Sequence, residues 1–341
     1  MDFAGLPGRI EALLAAHERV AVVLLDAFGM AFVRRHGAHP LLRQLEIEPV
    51  ASQFPSTTTA HLTTLSTGLP VGEHGLYEWR VYEPSLDTVI VPLRMGYAHD
   101  ERAPLPLEAA DLLPPERWFA GATVLMPAGI AHSPWSAASL AGARVVPYDN
   151  LGAGVARLGE RPGLSYLYWD GIDATGHRHG PASAEFDAAC LAALDALQRH
   201  LPAGLPVLVT ADHGQVDLDA FDDLDVIWPD LLGHLRRDGA GRPLWPAGSG
   251  RDCFLHVDDP ETVVAELAAR LGDRAEVRLA AELFPDAGPR LTARLADVCV
   301  LPAPGRLAWL AAFPTRERRW RGAHGGLAPE EAETWLGLLA P

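Results

Sequence analysis

Three short segments of this chain place carboxylates and imidazoles where a metal ion would find ligands. In Asp173-Ala174-Thr175-Gly176-His177 the acid and the imidazole are four residues apart, so at a helix start they share one side and can reach one ion. Taken alone, the pair reads equally well as a helix cap and a surface histidine. In Thr210-Ala211-Asp212-His213-Gly214 an adjacent Asp and His follow an apolar run, and Gly214 frees the backbone for a sharp turn. A strand-end Asp-His is structural about as often as it is functional. Gly322-Ala323-His324-Gly325-Gly326 embeds one imidazole in glycines, which let the backbone approach a ligand closely. With Asp26, which ends the first apolar run, the set comprises three carboxylates and three imidazoles.

Mixed oxygen and nitrogen ligands without thiolate suit zinc, with manganese or iron less favoured, and six ligands are what two ions with open positions need. Two ions can hold the attacking and leaving oxygens of an in-line phosphoryl displacement together. A nucleophile is offered by Phe54-Pro55-Ser56-Thr57-Thr58-Thr59-Ala60-His61, where hydroxyls gather at an expected helix start and Gly68 ends the helix. There they meet unpaired N–H groups and the positive end of the helix dipole, which favour an alkoxide and bind phosphate oxygens. The plainer reading is that Ser56 to Thr59 caps the helix.

These residues must be positioned by something, and the apolar runs supply it. Val20 to Leu25, Leu164 to Trp169 and Leu205 to Thr210 are apolar or nearly so throughout, the pattern of strands buried on both faces. Each ends at an acid or imidazole, as ligands sit beyond the carboxyl ends of strands in open parallel sheets. Between them, Ala182 to His200 carries Phe186, Cys190, Leu191, Leu194 and Leu197 at amphipathic-helix spacing. The expectation is an α/β fold, a mostly parallel central sheet with helices on both faces, in one domain over 1–341. Two irregular stretches, 80–160 and 229–312, the second with a helix near Glu261 to Leu271, are expected as insertions or a partial cap.

Composition narrows the partners. The 341 residues are 48% hydrophobic and 21% charged, with a formal net charge of −16 and no lysine at all. An acidic surface without a basic stripe disfavours duplex nucleic acid, while a small phosphorylated substrate fits, since a metal ion reverses the field of an acidic pocket. The start lacks a signal-peptide pattern and the first apolar run is too short to span a bilayer, so the expectation is a cytoplasmic protein with no membrane association. Cys190, Cys253 and Cys299 are scattered and odd in number, consistent with buried thiols in a reducing compartment.

In order, these motifs resemble the alkaline phosphatase superfamily and, within it, the nucleotide pyrophosphatase/phosphodiesterase (type I phosphodiesterase) branch. The resemblance runs from Asp26 through Phe54-Pro55-Ser56-Thr57-Thr58, Thr67-Gly68-Leu69-Pro70, His74-Gly75, Asp173 to His177 with Gly180-Pro181, and Asp212-His213-Gly214, to His324-Gly325. It implies Thr58 as nucleophile, with Thr57 and Thr59 as alternative registers. It implies that Asp26, Asp212 and His213 hold the metal that activates Thr58, and that Asp173, His177 and His324 hold a second. His61, three residues after Thr58 where an asparagine is expected from the resemblance, and Arg251 are candidate substrate contacts. Asp170 and His179 fall outside the pattern, as a structural or supporting acid and a surface residue.

The expected function is a phosphodiesterase or nucleotide pyrophosphatase, with two divalent cations, zinc first and manganese second, acting through a phosphothreonine. The alternatives are a phosphomonoesterase, phosphonate hydrolase or phosphate-group mutase on the same ligand set and, from another class, a metal-binding protein without turnover. Sulfatase chemistry is disfavoured because no cysteine sits in a Cys-x-Pro-x-Arg context. Leaving group and oligomeric state are not legible.

Overall fold

The computed structural model describes residues 2–341. A seven-stranded sheet runs through the molecule in the order Glu46–Ala51, Glu333–Leu339, Val207–Thr210, Arg19–Leu25, Gly163–Trp169, Thr123–Pro127, Arg144–Tyr148. The last five are parallel to one another, and Glu333–Leu339 is antiparallel to both its neighbours. Side chains alternate across the first strand. Ala21, Val23 and Leu25 enter a core shared with the helix Ala184–His200, while Val22 and Leu24 face a core shared with the helix Leu6–Ala16. Burial on both faces explains why the strand is apolar at consecutive positions. The α/β architecture is therefore as expected.

Three expectations need correction. Of the stretch 80–160, residues 123–127 and 144–148 are edge strands of the central sheet and not insertion. The accessory part is the four-stranded antiparallel sheet of Val81–Glu83, Thr88–Val91, Gly96–Tyr97 and Asp100–Pro104. In 229–312 a second four-stranded sheet, Ala247–Ser249, Asp252–Leu255, Val298–Pro302 and Ala275–Leu279, packs on the helix Pro260–Leu271, and Phe254 and Cys299 join it to the first through one apolar cluster. In the helix that begins at Ala184, Leu191 is 41% exposed and Ala193 occupies the buried position instead.

No helix among the described residues is long and apolar enough to cross a membrane.

Candidate active site

Asp26 leaves the carboxyl end of Arg19–Leu25. Asp212 and His213 leave the neighbouring Val207–Thr210, and Asp173 lies in the helix Gly171–His179 that follows Gly163–Trp169. His324 arrives from the far end of the chain because Val216 pairs with Ala323 and Asp217 with Gly322 in a two-stranded ribbon. That ribbon ties the loop of His213 to the loop of His324. At Gly214 a side chain would meet the Glu330 carbonyl oxygen at 2.1 Å, so the close packing of these loops needs glycine there.

Two ligand clusters result. One oxygen or nitrogen from each of Asp26, Asp212 and His213 lies within 4.8 Å of the others, and the same holds for Asp173, His177 and His324. The His213 and His324 rings stack at 3.7 Å, so the clusters adjoin. All three imidazoles share one arrangement: Nδ1 of His177, His213 and His324 lies 2.8, 3.0 and 2.9 Å from the carbonyl oxygens of Gly322, Gly214 and Ser56. A backbone acceptor there holds the proton on Nδ1 and leaves the Nε2 lone pairs for a ligand.

Burial makes the first cluster electrostatically costly as it stands. Asp26 Oδ1 and Asp212 Oδ2 are enclosed without a hydrogen-bond partner. Burial, followed by the neighbouring acids Asp212 and Asp173, raises Asp26 well above the usual carboxylate range, and burial raises Asp212 to about 7. Burial, then the nearby His324, holds His213 well below its ordinary value. In the second cluster burial would raise Asp173, but the imidazoles of His177 and His324 outweigh it and hold the acid low. Orphaned buried carboxylate oxygens facing bare imidazole nitrogens fit a divalent cation, which supplies the missing counter-charge.

The nucleophile segment forms the helix Thr58–Thr67, closed by Gly68 at φ +76°. The first helical bond is His61 N–H to the Thr57 carbonyl, which leaves the N–H groups of Thr58, Thr59 and Ala60 at the open end. Capping does not account for the hydroxyls. Thr57, at the cap position, makes no side-chain cap bond and instead donates to the Tyr77 carbonyl at 3.2 Å. Of the three candidate registers, Thr58 brings its hydroxyl to the first cluster, 3.3 Å from His213 Nε2 and 3.5 Å from Asp26 Oδ2. Its neighbour Thr59 has a buried Oγ1 with no partner.

These groups line a cavity of about 800 Å³ that holds Asp26, Thr58, Asp173, His177 and His324 on one wall. Leu62, Phe119, Met126, Ile130, Trp135 and Leu140 form an apolar wall. Asp170 lines it too, half-buried, with no bond as a helix cap. His179 is exposed.

The two candidate substrate contacts lie elsewhere. His61 is fully buried, with Nδ1 2.6 Å from the Thr57 carbonyl and Nε2 accepting from the Gln53 N–H at 3.1 Å, 2.9 Å from the Ser52 hydroxyl. Burial pushes it down to about 4, so it is neutral and structural. Arg251 is also enclosed. It donates to Glu331 at 2.6 Å and to the carbonyls of Ala303 and Arg306 at 2.8 and 2.6 Å, which leaves nothing for a phosphate.

The structure adds residues that the sequence did not single out. Tyr168 donates to Asp26, Gln215 donates to Asp173 Oδ1 at 2.5 Å, and Trp320 stacks on His177 at 3.8 Å. Gln215, two residues after His213, was the most accessible of these from the sequence.

The family model described as type I phosphodiesterase / nucleotide pyrophosphatase matches residues 20–327. Among solved structures, murine ectonucleotide pyrophosphatase / phosphodiesterase 5, in an inactive form with AMP, has a TM-score of 0.66 at 16% identity, over 94% of this chain and 88% of that one. The human protein of the same name gives 0.65 at 15%, over 94% and 87%. Phosphonoacetate hydrolase from Sinorhizobium meliloti, in complex with phosphonoacetate, gives 0.65 at 17%, over 94% and 90%. No curated protein sequence matches significantly. At such identities structural likeness carries the fold alone, whereas the family match spans every position from Asp26 to His324.

Proposed function

The chain belongs to the type I phosphodiesterase / nucleotide pyrophosphatase family of the alkaline phosphatase superfamily, and from that premise we propose that it is a phosphodiesterase or nucleotide pyrophosphatase using Thr58 as nucleophile. The observation that carries this reading is the Thr58 hydroxyl, set at an open helix end 3.3 Å from His213 Nε2 and facing a cavity that also contains the second cluster.

Asp26, Asp212 and His213 would hold one divalent cation and Asp173, His177 and His324 the other, with zinc first and manganese second from the oxygen and nitrogen donor set. When bound, the cations lower the pKa of the Thr58 hydroxyl and offset the charge of the phosphoryl oxygens. Thr58 Oγ attacks phosphorus in line, its proton leaving to water. The Oγ–P bond forms as the bond to the leaving oxygen breaks, and the electron pair departs with that oxygen. The free N–H groups of Thr59 and Ala60 accompany Thr58 at the helix start and favour the developing negative charge. Water then attacks the phosphothreonine, the Oγ–P bond breaks and Thr58 regains a proton. Tyr168 and Gln215 hold the Asp26 and Asp173 carboxylates in orientation throughout.

Small phosphorylated molecules, a nucleotide or other phosphodiester, are the proposed substrates. The test is hydrolysis of bis-p-nitrophenyl phosphate, p-nitrophenyl phosphate and a p-nitrophenyl phosphonate ester after reloading with Zn²⁺ or Mn²⁺. The diester is expected to turn over fastest, and Thr58→Ala is expected to lower its kcat by at least about a thousandfold. Faster monoester or phosphonate turnover would move the substrate class while keeping the site. Full activity in Thr58→Ala would remove the covalent mechanism.

A further inference from the structure

Four arginines, Arg94, Arg178, Arg316 and Arg319, line the cavity of the ligand clusters, and all four are exposed at its mouth. They come from three separate elements: a turn after the first accessory sheet, the last turn of the Asp173 helix, and the turn Arg316–Arg319. In a chain with 44 acidic residues against 28 arginines, arginines are readily paired. Arg80, Arg251, Arg294 and Arg318 all bond carboxylates. Among the described residues, none of the four at the mouth makes an ion pair or a hydrogen bond.

Their placement follows from how the 316–319 turn is anchored. Glu317 points inward, buried, and accepts from Arg80 at 2.7 Å and from the Gly250 N–H. Arg318 is drawn away to Asp223, which leaves Arg316 and Arg319 at the cavity. The guanidinium of Arg316 lies 5.0 Å from the Trp79 ring and 5.8 Å from that of Trp320, held between two indoles. Arg94 approaches the same Trp79 ring at 5.8 Å. Like charges gathered on one aromatic face repel each other unless an anion lies among them. The acids that share the cavity are otherwise engaged: Asp26 and Asp173 in the ligand clusters, Glu317 with Arg80, and Glu78 pushed up to about 8 by burial and so mostly protonated near neutrality. Asp170, half-buried on the same wall, makes no ion pair with them.

The side of the site they occupy is informative. Trp320 stacks on His177, so this rim flanks the second cluster, across from Thr58. In-line attack by Thr58 sends the leaving oxygen away from the nucleophile, toward that side.

We propose that the preferred substrate carries a second anionic group, a phosphate or a carboxylate, on its leaving-group side, and that Arg94, Arg178, Arg316 and Arg319 bind it. The assignment rests on the hydrolase reading above for its orientation, and not for the existence of the anion site. Planar guanidinium forks suit both oxyanions, and the phosphate and carboxylate cases separate experimentally.

The test compares wild type with Arg316→Gln/Arg319→Gln on three substrates: bis-p-nitrophenyl phosphate, ATP cleaved to AMP and pyrophosphate, and phosphonoacetate. The ratio of kcat/KM for ATP or for phosphonoacetate to that for the diester is expected to fall at least about tenfold in the variant, chiefly through KM, and the substrate that falls identifies the anion. An unchanged ratio on both would overturn the proposal. A parallel calorimetric titration of inorganic pyrophosphate and of phosphonoacetate into Thr58→Ala protein reads binding without turnover. Saturable binding that weakens with salt and is lost in the arginine variant sustains the rim even if wild type hydrolyses nothing, in which case the hydrolase reading fails alone. Absence of binding by both probes ends the anion-site proposal whatever the diester activity.

Discussion

Arg251 is 1% exposed and bonds Glu331, itself fully enclosed, together with two backbone carbonyls. Its Nη2 would come within 3.0 Å of a side chain at Gly326, so the pair buttresses the loop that delivers His324. Removing one partner of such a pair strands the other charge in a medium that cannot solvate it. Arg251→Met should therefore cost about 3–5 kcal/mol in urea unfolding, and adding Glu331→Leu should recover much of it. His61 plays a comparable supporting part: neutral and fully bonded, it joins the start of the Thr58 helix to the Ser52–Gln53 backbone. Neither residue's role was legible from its neighbours in sequence. An arginine or histidine near a motif looks the same whether it faces a cavity or a carboxylate eighty residues away.

At the scale of elements, the Thr58 helix depends on how it is closed. Gly68 ends it at φ +76°, its N–H bonding the Thr64 carbonyl, and a side chain added there would meet Trp118 at 3.1 Å. Gly68→Ala is expected to destabilise the protein by about 1 kcal/mol or somewhat more, read as a lowered urea midpoint with unchanged slope. The helix start at Thr58 and the stop at Gly68 were both legible, because Pro55, the hydroxyl cluster and glycine are local signals. The edge strands Thr123–Pro127 and Arg144–Tyr148 were not. Only a short apolar stretch marks the first, and half-exposed Val145 and exposed Pro147 break the pattern of the second. What makes them strands is pairing with Gly163–Trp169 and with each other.

For the whole molecule, the folded state gathers buried acids that resist ionisation. Glu78 is pushed up to about 8 by burial, from an ordinary 4.5. The unfolded chain releases that proton at lower pH than the folded one, so the stability it confers is full below about 4.5 and is lost as pH rises toward 8. Buried His61 and His74, pushed down to about 4 and about 3, act oppositely, and their effect is confined to pH below about 6.5. Between pH 6.5 and 8.5 the melting temperature of the metal-free protein is therefore expected to fall, and Glu78→Gln should shrink that fall. A melting curve without such a slope would contradict the burial of Glu78. Divalent cations should act in the opposite sense. Binding to the Asp26 and Asp173 clusters ties down residues from five separate stretches of chain, so Zn²⁺ at a hundredfold excess over its dissociation constant should stabilise by about 2.7 kcal/mol. Calorimetry after chelation and after reloading measures this directly, and Asp26→Asn should reduce the gain.

The sequence by itself determined the central strands, the two-sided burial of the sheet and the six ligand residues. Each is written in a short window: an apolar run for a strand buried on both faces, and an acid or imidazole at its carboxyl end. Tertiary structure alone decided which polar side chains face the cavity. His61 and Arg251 turned inward to bonds with distant backbone and Glu331, while Tyr168, Gln215 and Trp320 came to the ligand clusters. The physical reason is that a polar group's role is set by the partner that satisfies it once it is buried, and in this fold that partner often comes from a remote stretch of chain.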